Sequence, residues 1–142
     1  MDKKNEHIIL QQFARLWDNF PKGRIVPAES PDFILKINHK KAIGIELTEL
    51  KGQDFINHTG RLVNPLYLID HLKETIDAKQ EKLILYRRKR LFQIWLLIHL
   101  AELRGTVSFN LKNKLDNLKL YSGFDRIFLL ETRNDRVVEI TN

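Results

Sequence analysis

The stretch SPDFILKINHKKAIGIELTEL, residues 30–50, sets two short apolar runs on either side of Asn38-His39-Lys40-Lys41. FILKI and AIGIEL read as strands, and the polar quartet between them reads as a hairpin turn. At a period of two, Glu46 and Thr48 share one face of the second strand while Ile45 and Leu47 share the other. If helices cover both faces of the sheet, Glu46 is a buried or half-buried carboxylate, costly unless it is paired or bound to a metal. Asp32 stands directly after Pro31 at the mouth of the first run, and taken alone it reads as a turn residue or cap.

Upstream of the hairpin, Ile9, Leu10, Phe13, Leu16, Trp17 and Phe20 fall on one helical face, and Pro21 with Gly23 ends the pattern; a helix is expected from Glu6 to about Phe20. Downstream, Lys51 to Pro65 is polar, with two glycines and an Asn-Pro step, and reads as a loop. Leu68, Ile69, Leu72, Ile76, Leu83 and Tyr86 restore the helical period from Leu66 to about Arg88. The near-continuous run LFQIWLLIHLAE then suits a strand covered on both faces. A helix from about Ser108 to Leu120 is expected next. DRIFLLET is a further strand, paired with RVVEI across the turn Arg133-Asn134-Asp135. These elements describe a mixed α/β layer fold.

A length of 142 residues suits one domain, 1–142, with a single sizeable core. At 43% hydrophobic and 30% charged residues the composition is that of a folded protein, without low-complexity tracts or repeats. There is no cysteine, which excludes disulfides and thiolate metal sites, and no signal peptide is recognisable; a reducing cytoplasm is the expected location. The longest apolar run is about half of what a membrane helix needs, so no membrane partner is expected. The net charge of +6 favours polyanionic partners, and its densest cluster is Arg87-Arg88-Lys89-Arg90. The five histidines show no zinc-ligand spacing. His99, inside the apolar strand, reads as a core histidine with its polar atoms satisfied. No phosphate-binding glycine motif or serine-hydrolase elbow occurs.

Five charged residues stand out against this pattern. Lys79 projects between Leu72, Ile76, Leu83 and Tyr86, in the middle of an apolar stripe, and either snorkels to water or meets an inward charge. Lys82 lies at the stripe's edge. Glu6 projects onto the apolar face of the first helix, where an acid also suits the helix dipole. Asp32 and Glu46 come from neighbouring strands. Converging acids with an inward lysine form the inventory of a hard-cation phosphodiester site, in which oxygens hold Mg²⁺ and the lysine orients water or offsets developing charge.

Pro31-Asp32, Glu46-Leu47-Thr48 on the following strand, and the helix carrying ETIDAKQEKLILY resemble the PD-(D/E)XK nuclease superfamily. The resemblance implies a restriction-endonuclease-like fold, a mixed central sheet flanked by helices in the order α-β-β-β-α-β-α-β. It also implies a nuclease that uses Mg²⁺ or Mn²⁺, with DNA as its partner and a homodimer as a possible assembly. Asp32 and Glu46 match the metal-binding acids, and Glu6 matches the helix-one acid of many members. Thr48 stands where the family carries its catalytic lysine; Lys79 can supply a lysine migrated to the next helix. Lys82 and Arg87 to Arg90 are the residues expected to follow nucleic-acid phosphates. Glu49-Leu50-Lys51 is a second, competing ExK triplet, of opposite strand parity to Glu46. Shared metal binding places the carboxylates of Asp32 and Glu46 on the order of 4–6 Å apart. Thr48 is equally compatible with a member that kept the fold and lost the chemistry: an inactive nucleic-acid-binding or protein-interaction module, for example an accessory protein of a defence system.

Overall fold

The computed structural model describes residues 2–51, 65–101 and 122–140. The expected helix from Ser108 to Leu120, and all but the two ends of the expected loop from Lys51 to Pro65, lie outside the described residues. The elements run α1 (Lys3–Leu16), β1 (Arg24–Pro27), β2 (Phe33–Lys36), β3 (Ala42–Glu49), α2 (Pro65–Gln80), α3 (Leu83–Arg87), β4 (Gln93–Leu100), β5 (Arg126–Glu131) and β6 (Arg136–Ile140). All six strands join one open mixed sheet in chain order, β1-β2-β3-β4-β5-β6.

β2 and β3 form the expected antiparallel hairpin, with Phe33 opposite Ile45 and Lys36 opposite Ala42. Asn38 builds its turn: the side-chain oxygen accepts from the N–H groups of Lys40 and Lys41, both at 2.8 Å. β3, β4 and β5 run parallel to one another, and β6 returns antiparallel beside β5. Each of the three parallel strands is covered on both faces, as unbroken apolarity requires. On one face Leu10 and Phe13 of α1 pack on Phe33, Ile43, Ile45, Trp95, Leu97 and Phe128. On the other, Leu68, Leu72 and Ile76 of α2, with Leu83 and Tyr86 of α3, pack on Leu96, Ile98, Ile127 and Leu129.

Three boundaries differ from the sequence reading. β1 is an additional strand, an edge strand of four residues that ends in Pro27, where a missing N–H costs nothing. α1 stops at Leu16, because Trp17 turns extended while its N–H closes the last turn on the Phe13 carbonyl. The single helix expected from Leu66 to Arg88 is two: the ladder breaks at Glu81-Lys82, where the Lys82 N–H bonds to the Lys79 carbonyl three residues back. Neither proline nor glycine causes that break. Among the described residues no helix is long and apolar enough to cross a membrane.

Gly44 marks the tightest approach on the α2 face. A β-carbon there would lie 2.6 Å from Leu91 and 2.7 Å from Pro31. Its absence lets Pro31 lie against β3, which brings the following residue, Asp32, beside the next position on that face, Glu46.

Candidate active site

Only the first half of β3 has β2 as a neighbour, since the pairing ends with Phe33 opposite Ile45. Past that point the edge of β3 is open, and Asp32 takes the place of the next ladder partner. Its Oδ2 accepts the Leu47 N–H at 2.8 Å, and its own carbonyl accepts the Ala28 N–H at 2.8 Å. The backbone donor left by the short strand is thus satisfied by a carboxylate, which also fixes where that carboxylate points.

Asp32 is the middle of a row of three acids. Its carboxyl group hydrogen-bonds to Glu46 on one side and to Glu6 of α1 on the other. Glu46 is only 3% exposed. Its Oε2 accepts the Tyr86 hydroxyl and lies 3.8 Å from the Lys79 ammonium. Lys3 serves the outer end of the row, 3.7 Å from both Asp32 Oδ1 and Glu6 Oε2, and it donates to the Asp32 carbonyl at 3.0 Å. A cavity of about 210 Å³ opens over the row, lined by Glu6, Asp32, Glu46, Lys79 and Lys82, with Glu29 and Ser30 at its wall.

The electrostatics follow from crowding three acids beside two lysines. Burial pushes the Glu46 carboxyl up to about 8, its hydrogen bond to Asp32 and the charge of Asp32 add to the rise, and Lys79 and Lys82 oppose it. Burial also acts to raise Asp32, but the hydrogen bonds from Glu46 and the Leu47 N–H, with the charge of Lys3, bring it below the ordinary carboxylate value. Glu6 is raised by burial and by the charge of Asp32, with Lys3 acting against the rise. In the metal-free protein at neutral pH, Asp32 is therefore the anion and Glu46 retains a proton, as adjacent carboxyl groups in a dry site demand.

Of the site residues expected from sequence, Glu6, Asp32, Glu46, Lys79 and Lys82 line this one cavity. Asp32 and Glu46, the first two acids expected to share a cation, are near enough that each shifts the titration of the other. Thr48 lies two residues farther along β3, half-buried, and is not among the lining residues. Glu49 and Lys51 of the competing triplet are exposed and likewise outside it. Arg87, Arg88, Lys89 and Arg90 are exposed at the end of α3 and do not reach the cavity; Arg87 Nη2 donates weakly to the Gly123 carbonyl at 3.4 Å. Exposed Phe92 follows the cluster, with Lys41 over its ring at 4.8 Å.

Sequence reasoning missed two groups. Tyr86 counted only as apolar, although it lies seven residues from Lys79, near two helical turns, and the same spacing that buries its ring aims its hydroxyl at Glu46. Lys3 gave no signal, since a lysine in a first helical turn is ordinary. The expectation for His99 is corrected: it is buried at 2% exposure, but neither ring nitrogen has a hydrogen-bond partner among the described residues. Burial lowers its pKa, with Glu49 opposing, so the ring is neutral.

The oxygen donors suit a hard cation such as Mg²⁺, which is held by one or two carboxylates and completes its shell with water and phosphate oxygens. Asp32 and Glu46 meet that minimum, although no group of three or more histidine or acidic side chains among the described residues is arranged to enclose an ion. Comparison with protein-family models, with curated proteins and with solved structures finds no match to this chain.

Proposed function

We propose that this chain is a metal-dependent nuclease of restriction-endonuclease-like fold that hydrolyses phosphodiester bonds in DNA. The observation that carries the reading is the pairing of Asp32 with buried Glu46 at the open edge of β3, with the Lys79 ammonium 3.8 Å from Glu46 inside a solvent-reaching cavity. A row of acids, one buried and two half-buried, destabilises a fold unless something positive resides there, and such clusters with perturbed pKa values concentrate at functional sites. The order helix, three strands, two helices, strand, with one acid just before the second strand and one on the third, supports the resemblance, and the net charge of +6 supports a polyanionic substrate.

When bound, Mg²⁺ or Mn²⁺ supplies Lewis acidity toward a phosphate oxygen and a more acidic water. Asp32 and Glu46 are the residues that would hold it, with Glu46 in its ionised form. The Leu47 N–H keeps Asp32 oriented through its Oδ2. Tyr86 and Lys79 hold Glu46 Oε2, and Lys79 with Lys82 places positive charge where a pentavalent phosphate gathers negative charge.

A second reading rests on a separate observation. Lys79 and Tyr86 both engage Glu46, and Lys3 engages Asp32 and Glu6, so the acids are internally paired as in a site that has ceased to turn over. That protein would be a nucleic-acid-binding or protein-interaction module of the same fold. Incubation of the pure protein with single- and double-stranded DNA and RNA, in Mg²⁺ and in Mn²⁺, separates the two. Metal-dependent cleavage that disappears in Asp32→Ala supports the nuclease; no cleavage of any substrate with either ion overturns it in favour of the module.

A further inference from the structure

A second groove, of about 350 Å³, runs between α1 and the carboxyl ends of β3 and β4. In open α/β sheets the carboxyl ends of parallel strands are where small ligands bind. Its walls are Ile8 and Ile9 of α1 and Ala101 after β4. Ile8 is 55% exposed and so offers apolar surface at the mouth of the groove. Between these walls lie the polar groups of Asn5, Glu49 and His99, with Gln12 and Thr132 at one end bonded to each other.

His99 is the informative residue. It lines both this groove and the acid cavity, so the imidazole is the partition between them. It is also a neutral, buried donor–acceptor pair with neither nitrogen satisfied among the described residues. Buried polar groups without partners are rare in folded proteins and point to a water or a ligand. Glu49 pairs with His99 in the β3–β4 register and presents an exposed carboxylate at the same place.

We propose that this groove binds a nucleobase bearing an exocyclic amino group, the base of a nucleotide whose phosphate lies at Asp32 and Glu46. Flat apolar walls of isoleucine and alanine accept a ring face. Glu49 accepts N–H donors from its edge, as carboxylates do from amino-bearing bases, and the imidazole of His99 can turn one of its nitrogens to the same edge. The volume lies within the range of small-ligand sites. Glu46 and Glu49 project to opposite faces of β3, and the two cavities meet at His99, which lines both, beside the open edge of that strand, so one nucleotide passing around the edge can address both. The proposal deepens the nuclease reading, from which it takes the placement of the phosphate.

The test is binding of free guanosine, adenosine, cytidine and uridine to the full chain in a chelator, followed by saturation-transfer NMR and by the ring resonances of His99. Binding of the amino-bearing nucleosides, with uridine weaker and with the His99 signals shifting on saturation, is the expected result. Glu49→Ala and Ile8→Glu alter exposed side chains and so leave the circular dichroism spectrum unchanged; each weakens nucleoside binding by about tenfold or more. The proposal is overturned if no nucleoside binds up to roughly 10 mM, the weak limit for a specific small-ligand site. It is equally overturned if both variants bind as the parent does, or if the His99 resonances stay fixed. The nuclease reading is judged separately by metal-dependent cleavage: cleavage without nucleoside binding removes the base groove alone, and nucleoside binding without cleavage removes the nuclease reading while the groove stands.

Discussion

The Tyr86 hydroxyl donates to Glu46 Oε2, the same oxygen that the Lys79 ammonium approaches to 3.8 Å. On one straight helix the two positions would stand about 10 Å apart along the axis, and the break at Glu81-Lys82 separates the segment bearing Lys79 from the segment bearing Tyr86. The buried acid is thus held by side chains from two helices rather than from one.

Tyr86→Phe removes that donor and nothing else, since the ring stays in the core among Leu83, Leu96 and Phe124. Glu46 then loses one buried partner, and the cost expected for such a group is about 1–3 kcal/mol of unfolding free energy. Urea denaturation of parent and variant measures it. A loss below about 0.5 kcal/mol, the low end for a net hydrogen bond, would mean that Glu46 does not depend on the phenol.

The acid row makes stability depend on pH in a stated direction. Glu46 is raised in the folded state from its ordinary value to about 8, so the folded protein binds a proton that the unfolded chain releases. Its contribution is fully present below about pH 4.5, the ordinary glutamate value, and is lost as pH rises through about 8. Asp32 is lowered and works the opposite way, losing its contribution as pH falls below the ordinary aspartate range. In chelator, the melting temperature of the parent should therefore fall between about pH 5 and pH 8, and Glu46→Gln, which cannot ionise, should flatten that fall. Millimolar Mg²⁺ at about pH 8 should restore the parent's melting temperature and leave Glu46→Gln unmoved, because a cation substitutes for the lost proton only where a carboxylate can form. Equal pH profiles for the two proteins would show that Glu46 is ionised throughout.

The hairpin, the first helix and the inward lysine were legible because each rests on periodicity. Phe33 to Lys36 and Ala42 to Glu49 alternate or run apolar over enough residues to register, and Lys79 stands out only against a complete apolar stripe. β1 was not legible, as RIVP offers four residues and a proline, and only pairing with β2 makes it a strand. The α2–α3 break was hidden for the converse reason: Leu83 and Tyr86 continue the period of Ile76 across a turn that carries no breaker residue. Partners chosen by tertiary contact, such as the Leu47 N–H for Asp32 or the Tyr86 hydroxyl for Glu46, leave no mark in hydropathy.

The basic cluster stands apart from the acid cavity. Arg87, Arg88, Lys89 and Arg90 are exposed and outside the acid cavity, whereas Lys82 lines it. Replacing Arg88, Lys89 and Arg90 by glutamine should weaken binding to all duplex sequences alike and flatten the slope of log K against log salt by about 0.9 for each phosphate that is no longer neutralised. Lys82→Gln should instead lower turnover more than affinity, since its charge lies beside the acids. A salt slope unchanged by the triple replacement would reduce the cluster to a solvated helix end.

Lys79 decides between a working enzyme and a retired one. Its side chain is 22% exposed, with the stem packed along α2 and the ammonium on Glu46, so Lys79→Met retains most of the volume while removing the charge. Such near-isosteric exchanges cost less than about 1.5 kcal/mol. If Lys79 supplies the lysine that Thr48 does not, cleavage should collapse in Lys79→Met at nearly unchanged stability, and Thr48→Ala should cleave as the parent does. Loss of one charge from the transition state is worth about 10²–10³ in rate at a dry site, well outside what a change in folding of that size produces. The opposite pattern, full activity in Lys79→Met with loss in Thr48→Ala or Lys51→Ala, would show that the acids belong to a different register of the motif. A parent inactive under every condition, combined with a Lys79→Met variant destabilised by about 3 kcal/mol or more, would show instead that Lys79 is the buried counter-ion of Glu46 and that the pair holds the site closed.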